Sequence, residues 1–362
     1  MAKICFLADA DSIHTRKWVD YFSSFNNEIY LISMRATKYS YKDNVRVIVV
    51  EPPFKNKLSY FFILKEIKKL VQEIKPDILH SHYATSYGLY GRISGYHPFI
   101  ISVWGSDVYE FPKGSTLKSK LLRYILKGTD AVCSTSKDMA RETKKYYDHK
   151  EITITPFGVD VDRFNIKTPV LSKDYITIGV VKNLHKIYGI EYLVKAFSSL
   201  LKETEKDIRL MIVGDGSERE NLEKLCSELD IVSKVNFTGN IDNSSVPEYI
   251  NKMDIVCLPS LSESFGVAAV EACACGRPVV STNVGGLKEI VIDDYNGYSV
   301  DPENSDLIKD KLQTLIEDED KIRKFSVNAR KVAEENYNWT ENAAIMKNLY
   351  EKIMQLGGPM DV

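Results

Sequence analysis

Residues 259–272 read PSLSESFGVAAVEA, and they place two carboxylates, those of Glu263 and Glu271, around the junction of a loop and a helix. The residues before them, Met253–Leu258, form a mostly apolar run of strand length. The residues after them, Val267–Cys275, are small and apolar and include no proline. This pattern predicts a strand, a turn and a buried helix, which together form the basic unit of an α/β fold.

The start of this helix is a candidate phosphate site. We expect the helix to begin near Phe265 or Gly266, where the first amides lack intrahelical acceptors and carry the positive end of the helix dipole. Glu263 lies just before that point and Glu271 lies two turns after it. At ~1.5 Å rise per residue the two carboxylates are about 12 Å apart along the helix. That distance is comparable with the distance from the sugar to the ribose of a nucleotide-diphosphate sugar, so each carboxylate can accept hydroxyl hydrogen bonds from one end.

Strands and helices alternate along the rest of the chain. Such alternation predicts right-handed crossovers and a parallel sheet covered on both faces. The 362 residues suffice for two domains. A second alternating series runs from Tyr175 to about Leu315, after a linker at Pro156–Phe164. Two doubly wound sheets in series predict an active site in the cleft between them. In the first half, strands are predicted at 4–8, 28–33, 46–50, 78–81, 99–104, 131–135 and 152–155, and helices at 14–25, 59–74, 137–146 and from 117.

The charge is nearly balanced over the chain but not along it. Residues 1–165 hold 25 lysines and arginines against 18 acids, whereas the remainder holds 23 against 32. The acidic second half argues against a nucleic-acid partner. No stretch has membrane-spanning length and the first apolar run is short, so we expect a cytoplasmic protein. The six cysteines lack metal-ligand or paired spacing, which favours reduced core thiols.

Two basic segments in the first half contain apolar residues at helical spacing. They are Lys55–Leu70 and Leu117–Lys127. Such helices can lie on an anionic membrane surface with their apolar stripe buried in it. Packing of the same stripe on the domain's own sheet is the alternative, and it is favoured for either helix taken alone. A peripheral position at the inner face of a membrane is therefore an expectation from the basic first half.

The pair Glu263 and Glu271, set in PSLSESFGVAAVEACACGRPVVSTNVGG, resembles the donor-site signature of the retaining glycosyltransferases of family 4. The resemblance covers the whole chain and implies the GT-B architecture of two Rossmann-like domains facing a central cleft. It also implies an acceptor-binding domain at 1–165, a domain for the nucleotide sugar at 166–338, and a last helix at about 339–356 that returns to the first domain. No metal and no cofactor are expected, since a nucleotide-diphosphate sugar is the co-substrate.

The same resemblance implies further donor contacts. The backbone of Ser264, Phe265, Gly266 and Val267 is expected at the diphosphate. The segment with Gly214 follows a strand, but it lacks the third glycine of a dinucleotide fingerprint. It matches the segment at the same place in the family, as do the later residues Asn240 and Ile241, whose backbone in the family flanks the base.

The opening of the second domain departs from the family pattern. Relatives commonly carry an arginine and a lysine there, with the lysine next to a glycine, and the two cations neutralise the diphosphate. Here Lys182 takes the arginine position, Tyr188 precedes Gly189, and Lys186 is the candidate for the second cation. A lysine supplies the point charge but not the bidentate fork of arginine.

In the first domain, Trp104 and Asp107 occur in VWGSDV after a predicted strand. The segment resembles the family's His-Gly-x-Asp motif, with Trp104 where histidine is usual. An indole donates one hydrogen bond but cannot take a proton, so the role of that histidine is not carried over. Asp107 either fixes the loop by accepting backbone amides or faces the acceptor.

Three other pairs of residues near the predicted cleft have more than one interpretation. His14 and Arg16 are candidates for acceptor contact, with a capping or core role for His14 as the alternative. Asp9 and Asp11 imitate a metal-binding pair, but the resemblance favours a metal-free site. The pair His80 and His82 lacks a third ligand, which favours hydrogen-bonded structure over a metal site.

The predicted function is therefore a hexosyltransferase-type enzyme that moves a sugar with retention to a glycan or lipid-linked glycan, in the synthesis of a cell-surface polysaccharide or glycoconjugate. Glu263, Lys182, Lys186 and Asp107 are the predicted catalytic residues, and Trp104 joins the acceptor side. A nucleotide-sugar epimerase, a glycan phosphorylase or a catalytically silent sugar-nucleotide-binding protein of the same architecture are the alternatives.

Overall fold

The computed structural model describes residues 1–52, 54, 58–148 and 150–355. The chain divides into two compact units, the first formed by Met1–Pro156 and Ala343–Val362 and the second by Phe157–Asn342. Each unit contains one parallel β-sheet with helices packed on it. The predicted α/β fold with two doubly wound parallel sheets is confirmed.

The first unit contains a seven-stranded sheet. Its strands are β1 Lys3–Leu7, β2 Glu28–Ser33, β3 Val45–Val49, β4 Ile78–His82, β5 Phe99–Val103, β6 Ala131–Ser134 and β7 Ile152–Ile154. Its helices are α1 Ile13–Ser23, α2 Leu58–Ile74, α3 Ser86–Ser94, α4 Ser106–Tyr109, α5 Thr116–Leu126 and α6 Lys137–Lys144. The strand order β3-β2-β1-β4-β5-β6-β7 changes direction between β1 and β4, and every pairing is parallel.

The second unit contains a six-stranded sheet. Its strands are β8 Ile176–Val181, β9 Ile208–Val213, β10 Val235–Gly239, β11 Ile255–Leu258, β12 Val279–Thr282 and β13 Gly297–Val300. Its helices are α7 Ile190–Glu203, α8 Arg219–Glu228, α9 Val246–Ile250, α10 Val267–Ala274, α11 Leu287–Ile290, α12 Ser305–Ile316 and α13 Glu319–Asn336, and the last helix of the chain is α14 Trp339–Gln355. The order β10-β9-β8-β11-β12-β13 changes direction between β8 and β11.

One helix, α3, is absent from the sequence-based prediction. It contains Gly88 and Gly91, which lower helix propensity. Both glycines are there for close packing, because a Cβ at Gly91 would overlap the ring of Phe99 in β5 and one at Gly88 would touch the carbonyl of Tyr83. Tertiary contact therefore overrides local propensity in this segment.

The boundary between the units lies earlier than the predicted position at residue 165. Phe157 is the first residue of the second unit. Its ring packs edge-on against Phe265 at 5.8 Å, and the amide of Val159 donates to the carbonyl of Tyr337 at 2.8 Å. These contacts attach the predicted linker to the second unit.

The last helix begins in the second unit and belongs to the first from Ala343 onward. Within the first unit, the ring of Tyr350 stacks on Phe22 at 4.5 Å. Its hydroxyl and Nδ1 of His80 form a hydrogen bond of 2.5 Å. The part of α14 around Tyr350 is therefore part of the core under β4.

Two further features are the state of the cysteines and the length and hydropathy of the helices. All six cysteines are buried free thiols. Among the described residues, no helix is both long and apolar enough to cross a bilayer.

Candidate functional site

The carboxyl ends of β8 and β11 define the candidate site of the second unit. These two strands are neighbours at the point where the strand order reverses. In open α/β sheets such a point leaves a crevice in which ligands bind. Lys182 follows β8 directly, and the loop 259–266 follows β11. The fold thus brings together two segments that are far apart in the sequence.

Lys182 and Glu263 meet at this point. The Lys182 ammonium donates to Oε2 of Glu263 over 2.5 Å. The exposed fractions of the two side chains are 15% and 13%, so the pair is largely shielded from water. The Lys182 ammonium also lies 4.3 Å from the centre of the Tyr188 ring. A shielded cation beside a carboxylate is suited to holding a phosphate next to a hydroxyl-bearing group.

Helix α10 begins at Val267, one or two residues after the start predicted near Phe265 or Gly266. Gly266 precedes it with a φ of 103°, a left-handed value that glycine adopts without strain. The first intrahelical bonds to the Gly266 carbonyl come from Ala269 and Val270. The amides before these have no acceptor one turn back in the helix, which is the arrangement that binds an anion at a helix start.

Glu271 lies in the second turn of α10 and is half-buried. Its side chain is engaged in contacts within the protein. Ser264 is also half-buried and engaged. The roles of Ser264, Gly266, Val267 and Glu271 toward a donor stay predictions.

The side chain of Phe265 anchors the loop. It is 5% exposed and packs between Phe157 and Tyr337, with 5.8 Å between ring centres in both cases. The ring is therefore committed to the core of the second unit. Only the backbone of Phe265 remains for the predicted contact with a phosphate.

Gly285 and Gly286 fix the loop as well, a role that is not among the sequence-based predictions. A Cβ at Gly285 would overlap the carbonyl oxygen of Glu263, and one at Gly286 would overlap the backbone of Phe265. Gly285 also has a φ of 48°. The signal was present as a glycine pair directly after β12, but nothing in the sequence shows which backbone the pair approaches.

The turn that contains Tyr188 supports the loop from the opposite side. Lys186–Tyr188 form a single 3-10 turn, and the Leu261 amide donates to the carbonyl of Ile187 at 2.8 Å. A Cβ at Gly189 would overlap the carbonyl of Pro259. The loop that carries Glu263 is therefore held in place by two turns that contain glycine, one with Gly189 and one with Gly285.

Gly214 and its neighbours pack directly on the segment after β8. Gly214 has a φ of 133°, and a Cβ there would overlap the Lys182 carbonyl. Its amide donates to Gly239 at 3.0 Å at the end of β10. Asn240 is exposed and Ile241 is half-buried just beyond that strand. Gly214 therefore sets the path of the Lys182 segment, whereas the donor contacts of Asn240 and Ile241 stay predictions.

Lys186 does not join Lys182 and Glu263. It is exposed in the 3-10 turn and lines a shallow depression with Glu191 and Glu218. No ion pair to Lys186 forms within the part of the chain that the structure describes. Its role as the second cation stays a prediction, and Tyr188 is the residue of this turn that contacts Lys182.

In the first unit, aromatic and imidazole rings gather at the corresponding edge. Trp104 follows β5, His82 ends β4 and His14 is in the first turn of α1. The ring of Trp104 lies 4.4 Å from His82 and 5.9 Å from His14, and Tyr83 contacts it edge-on at 5.3 Å. The structure therefore brings the predicted acceptor-side residues His14 and Trp104 together.

The histidines of this group are held neutral. Burial lowers the pKa of His14 to about 4, with a smaller contribution from the charge of Lys17. Burial also lowers the pKa of His80 to about 3 and that of His82 well below its usual value. His80 is hydrogen-bonded to Ser102 at 2.9 Å, which supports the structural reading of this residue.

His82 has one ring nitrogen without a partner. Its Nδ1 lies 3.4 Å from the hydroxyl of Thr15, whereas its buried Nε2 has no hydrogen-bond partner among the described residues. Hydrogen bonding within the described residues therefore accounts for only one of the two ring nitrogens of His82.

Asp107 fixes the loop after β5. Its Oδ2 accepts the Ala84 amide at 2.8 Å, and its Oδ1 accepts the amides of Gly105 at 2.8 Å and Trp104 at 3.2 Å. Burial raises the pKa of this carboxyl, and the backbone hydrogen bonds oppose the rise. Both oxygens are used by the loop, so a structural role replaces the predicted catalytic one.

Arg16, Asp9 and Asp11 have local partners. Arg16 stacks on the ring of Tyr39 at 4.5 Å and pairs with Asp20 at 3.4 Å. Asp9 accepts the amide of Asp11 at 3.0 Å, which makes this pair part of a turn. Within the described residues, no group of three or more histidine, cysteine, aspartate or glutamate side chains could hold a metal ion.

Comparison with known families agrees with this geometry. The family model "Glycosyl transferases group 1" matches residues 162–332, and the model "Glycosyl transferase 4-like" matches residues 3–136. Both models describe glycosyl transferases, and between them they match most of the chain. The first match covers the segments with Lys182, Glu263 and Gly285, and the second covers those with His14 and Trp104.

Two relatives and one solved structure illustrate the likeness. An uncharacterised glycosyltransferase of Methanocaldococcus jannaschii is 32% identical over 236 residues, which are 63% of this chain but only 59% of that protein. N-acetyl-alpha-D-glucosaminyl L-malate synthase of Bacillus anthracis is 26% identical over 81% of this chain and 79% of its own. HepE of Anabaena, solved with UDP, superposes with a TM-score of 0.83 at 18% identity over 97% of this chain and 100% of its own. That likeness confirms the GT-B fold.

Proposed function

We propose that this glycosyltransferase moves a sugar from a nucleotide-diphosphate sugar to a hydroxyl of a glycan or lipid-linked glycan, with retention at the anomeric carbon. One observation carries the proposal. Lys182 and Glu263 form a shielded pair at the reversal point of the second sheet, next to the start of α10. That arrangement offers a cation and helix amides to a diphosphate and a carboxylate to the hydroxyls of a sugar.

Stabilisation of the leaving group is the main chemical task in this proposal. Negative charge develops on the diphosphate as its bond to the sugar breaks. The amides at the start of α10 belong to a backbone that is fixed by the glycine turns around it, so they need no rearrangement when that charge appears. The ammonium of Lys182 adds a positive charge. We propose that they serve this role without a divalent ion.

Glu263 orients the sugar in this proposal and does not attack it. The acceptor hydroxyl forms its bond to the anomeric carbon on the face from which the diphosphate departs. The bond from that carbon to the phosphate oxygen breaks, and the acceptor proton passes to the departing phosphate. Every atom is then accounted for without a protein nucleophile.

The donor is proposed to carry UDP, because a protein of the same fold has been solved with it. HepE of Anabaena was determined in complex with UDP-glucose as well as with UDP. UDP and UDP-glucose are therefore the first probes to use. GDP and GDP-mannose are the comparison probes, since Lys182 and the helix amides recognise a diphosphate and not a base.

Replacing Glu263 by glutamine tests the proposal. We expect a loss of more than about tenfold in turnover of the donor, because one charge-assisted hydrogen bond to the sugar is removed. Glu228→Gln is the matched control, since Glu228 is on the same unit and pairs with Lys224 at 3.6 Å on the surface of α8. Equal turnover in the two variants would contradict the role of Glu263. NMR of the product reports whether the anomeric configuration is retained.

We also propose that helix α5 attaches the enzyme to an anionic membrane that carries the acceptor. Leu117 and Tyr124 on this helix are 76% and 49% exposed. The basic residues of the segment are Lys118, Lys120, Arg123 and Lys127. None of them forms an ion pair with a described residue. Lys118 and Arg123 lie over the rings of Phe111 and Tyr146, but no carboxylate of a described residue neutralises them. Cations without a carboxylate partner beside exposed apolar side chains match the chemistry of an anionic bilayer surface.

The other basic segment is only partly described. Residues 55–57 lie outside the described part of the chain. In α2, Phe62 is 50% exposed and Lys69 pairs with Glu73 at 3.8 Å. Helix α5 is therefore the better-supported contact.

Flotation with lipid vesicles tests the membrane proposal. Changing Lys118, Lys120 and Lys127 to glutamine should abolish flotation with phosphatidylglycerol vesicles, because each lysine contributes about 1 kcal/mol near such a surface. The control changes Lys195, Lys224 and Lys331 to glutamine, which removes the same charge from paired surface lysines of the second unit. Binding that persists in the α5 variant at low salt would reject this surface.

A further inference from the structure

Tyr188 occupies a distinctive place beside the candidate site. It ends the 3-10 turn after β8 and precedes Gly189, which has a φ of 59°. Family 4 glycosyltransferases, which the sequence resembles, commonly carry a lysine before this glycine. A tyrosine there supplies no positive charge, so this position contributes something other than a second cation.

The Tyr188 ring contacts the cation of the candidate site. The Lys182 ammonium lies 4.3 Å from the ring centre, within the distance at which a cation and an aromatic face attract each other. This attraction strengthens when the cation is shielded from water, and the Lys182 side chain is only 15% exposed. The ammonium therefore has two partners, the Glu263 carboxylate at 2.5 Å and this ring.

The backbone around Tyr188 keeps the ring in place. The Tyr188 amide donates to His185 at 2.9 Å, and the Ile187 carbonyl accepts the amide of Leu261 at 2.8 Å. Gly189 lies directly against the Pro259 carbonyl. The ring is thus tied to the same loop that carries Glu263, so the positions of the two partners of Lys182 are coupled.

We propose that Tyr188 is a positioning residue that holds the Lys182 ammonium at the diphosphate. This inference rests on the proposed function. A donor that hydrogen-bonds to Glu263 through its sugar competes with Lys182 for that carboxylate. The aromatic face does not take part in this exchange, so Lys182 keeps one fixed partner while it turns from the carboxylate to the phosphate. The ring then orients Lys182 from a position where relatives commonly carry a cation.

The aromatic face, and not the hydroxyl, is the part of Tyr188 that acts. The hydroxyl has no hydrogen-bond partner among the described residues. Tyr188→Phe should therefore preserve UDP affinity within about twofold, because the attracting ring remains. Tyr188→Leu keeps an apolar side chain of similar reach without the ring, and we expect it to weaken UDP binding about tenfold.

Isothermal titration with UDP measures these affinities, and a double-mutant cycle assigns the effect to Lys182. In a Lys182→Gln background, Tyr188→Leu should change UDP affinity by less than about twofold, since the cation that the ring attracts is absent. Thermal unfolding of each variant without ligand checks that the leucine variant is folded. If that variant does not fold, Tyr188→Gln takes its place in the cycle.

The outcomes separate this inference from the proposed function. A wild-type chain that binds neither UDP nor GDP would reject the proposed function itself. Wild-type binding of UDP that is unchanged in folded Tyr188→Leu would reject only the positioning role. A loss that is equally large in the phenylalanine variant, or in the Lys182→Gln background, would also reject it, because the ring or its target would then be irrelevant.

Discussion

The reversal points of the two sheets have the same topology but different chemistry. In the first unit, the edge near β1, β4 and β5 carries His14, His82 and Trp104. In the second unit, the edge of β8 and β11 carries Lys182 and Glu263. One edge is lined by rings and the other by a charged pair beside helix amides.

The fold and the side chains determine different properties of these two edges. Topology places a crevice at each reversal point, whatever residues are there. Side chains then set the charge of the ligand that each crevice can hold. Burial lowers the pKa of His14 to about 4, so this imidazole is uncharged near neutral pH. An uncharged aromatic edge suits a polyol, whereas the edge with Lys182 suits a diphosphate.

The largest expected effect comes from a substitution that disturbs the backbone at the edge of the second sheet. In Gly285→Val, a side chain would overlap the Glu263 carbonyl at a backbone with a φ of 48°. We expect a loss of more than about 4 kcal/mol in the free energy of unfolding and the loss of UDP binding. Thermal unfolding and UDP titration measure both.

Gly95→Val is the control for the backbone conformation alone. Gly95 has a φ of 69°, and an added Cβ there would meet no atom within 4 Å. A cost in Gly95→Val equal to that in Gly285→Val would show that the loop contact at Glu263 is unimportant.

The next largest effect is a loss of folding stability at acid pH, which arises from His14 at the edge of the first sheet. The pKa of His14 is lowered by burial to about 4, against about 6.5 in an unfolded chain. The folded state therefore binds fewer protons in this range, and its stability falls as the pH falls from about 6.5 toward 4. His14 alone accounts for up to about 3 kcal/mol of this loss.

Thermal unfolding of the full chain between pH 7.5 and 4.5 checks this prediction. His14→Asn should flatten the loss of stability, because one titrating imidazole is removed. His185→Asn is the control for loss of an exposed imidazole on the second unit. Superimposable pH profiles for His14→Asn and the wild type would contradict the expected proton uptake.

The smallest effect tests whether the first edge acts on the acceptor alone. Trp104→Leu removes the ring that contacts His14 and His82. We expect the KM for a sugar acceptor to rise about tenfold, since a stacking surface is lost. UDP affinity should stay within about twofold, and a parallel fall in UDP affinity would erase the distinction between the two edges.

The candidate site shows where sequence-based reasoning ends. The strand-loop-helix pattern around Glu263 and Glu271 was predicted from the sequence, because periodicity and turn chemistry are local signals. The contact of Tyr188 with Lys182 has no such signal. It depends on the path of the turn Lys186–Tyr188, which is held by the loop after β11.

Asp107 illustrates a role that the sequence left between two alternatives. Its motif marked a position of interest, but a loop anchor and an acceptor contact demand the same side chain. The amides of Ala84, Trp104 and Gly105 decide in favour of the anchor. Nearly every residue has a backbone amide, so the sequence does not show which amides will converge on a given carboxylate.

The sequence by itself determined that this chain forms two parallel α/β units and where the candidate donor segment lies, because these features follow from local hydrophobic pattern and from glycine and proline chemistry. The tertiary structure decided that Lys182 pairs with Glu263, that Gly285 supports their loop, and that α3 forms at all. The physical reason is that each of these depends on a contact between backbone segments distant in sequence, whose energy no local pattern records.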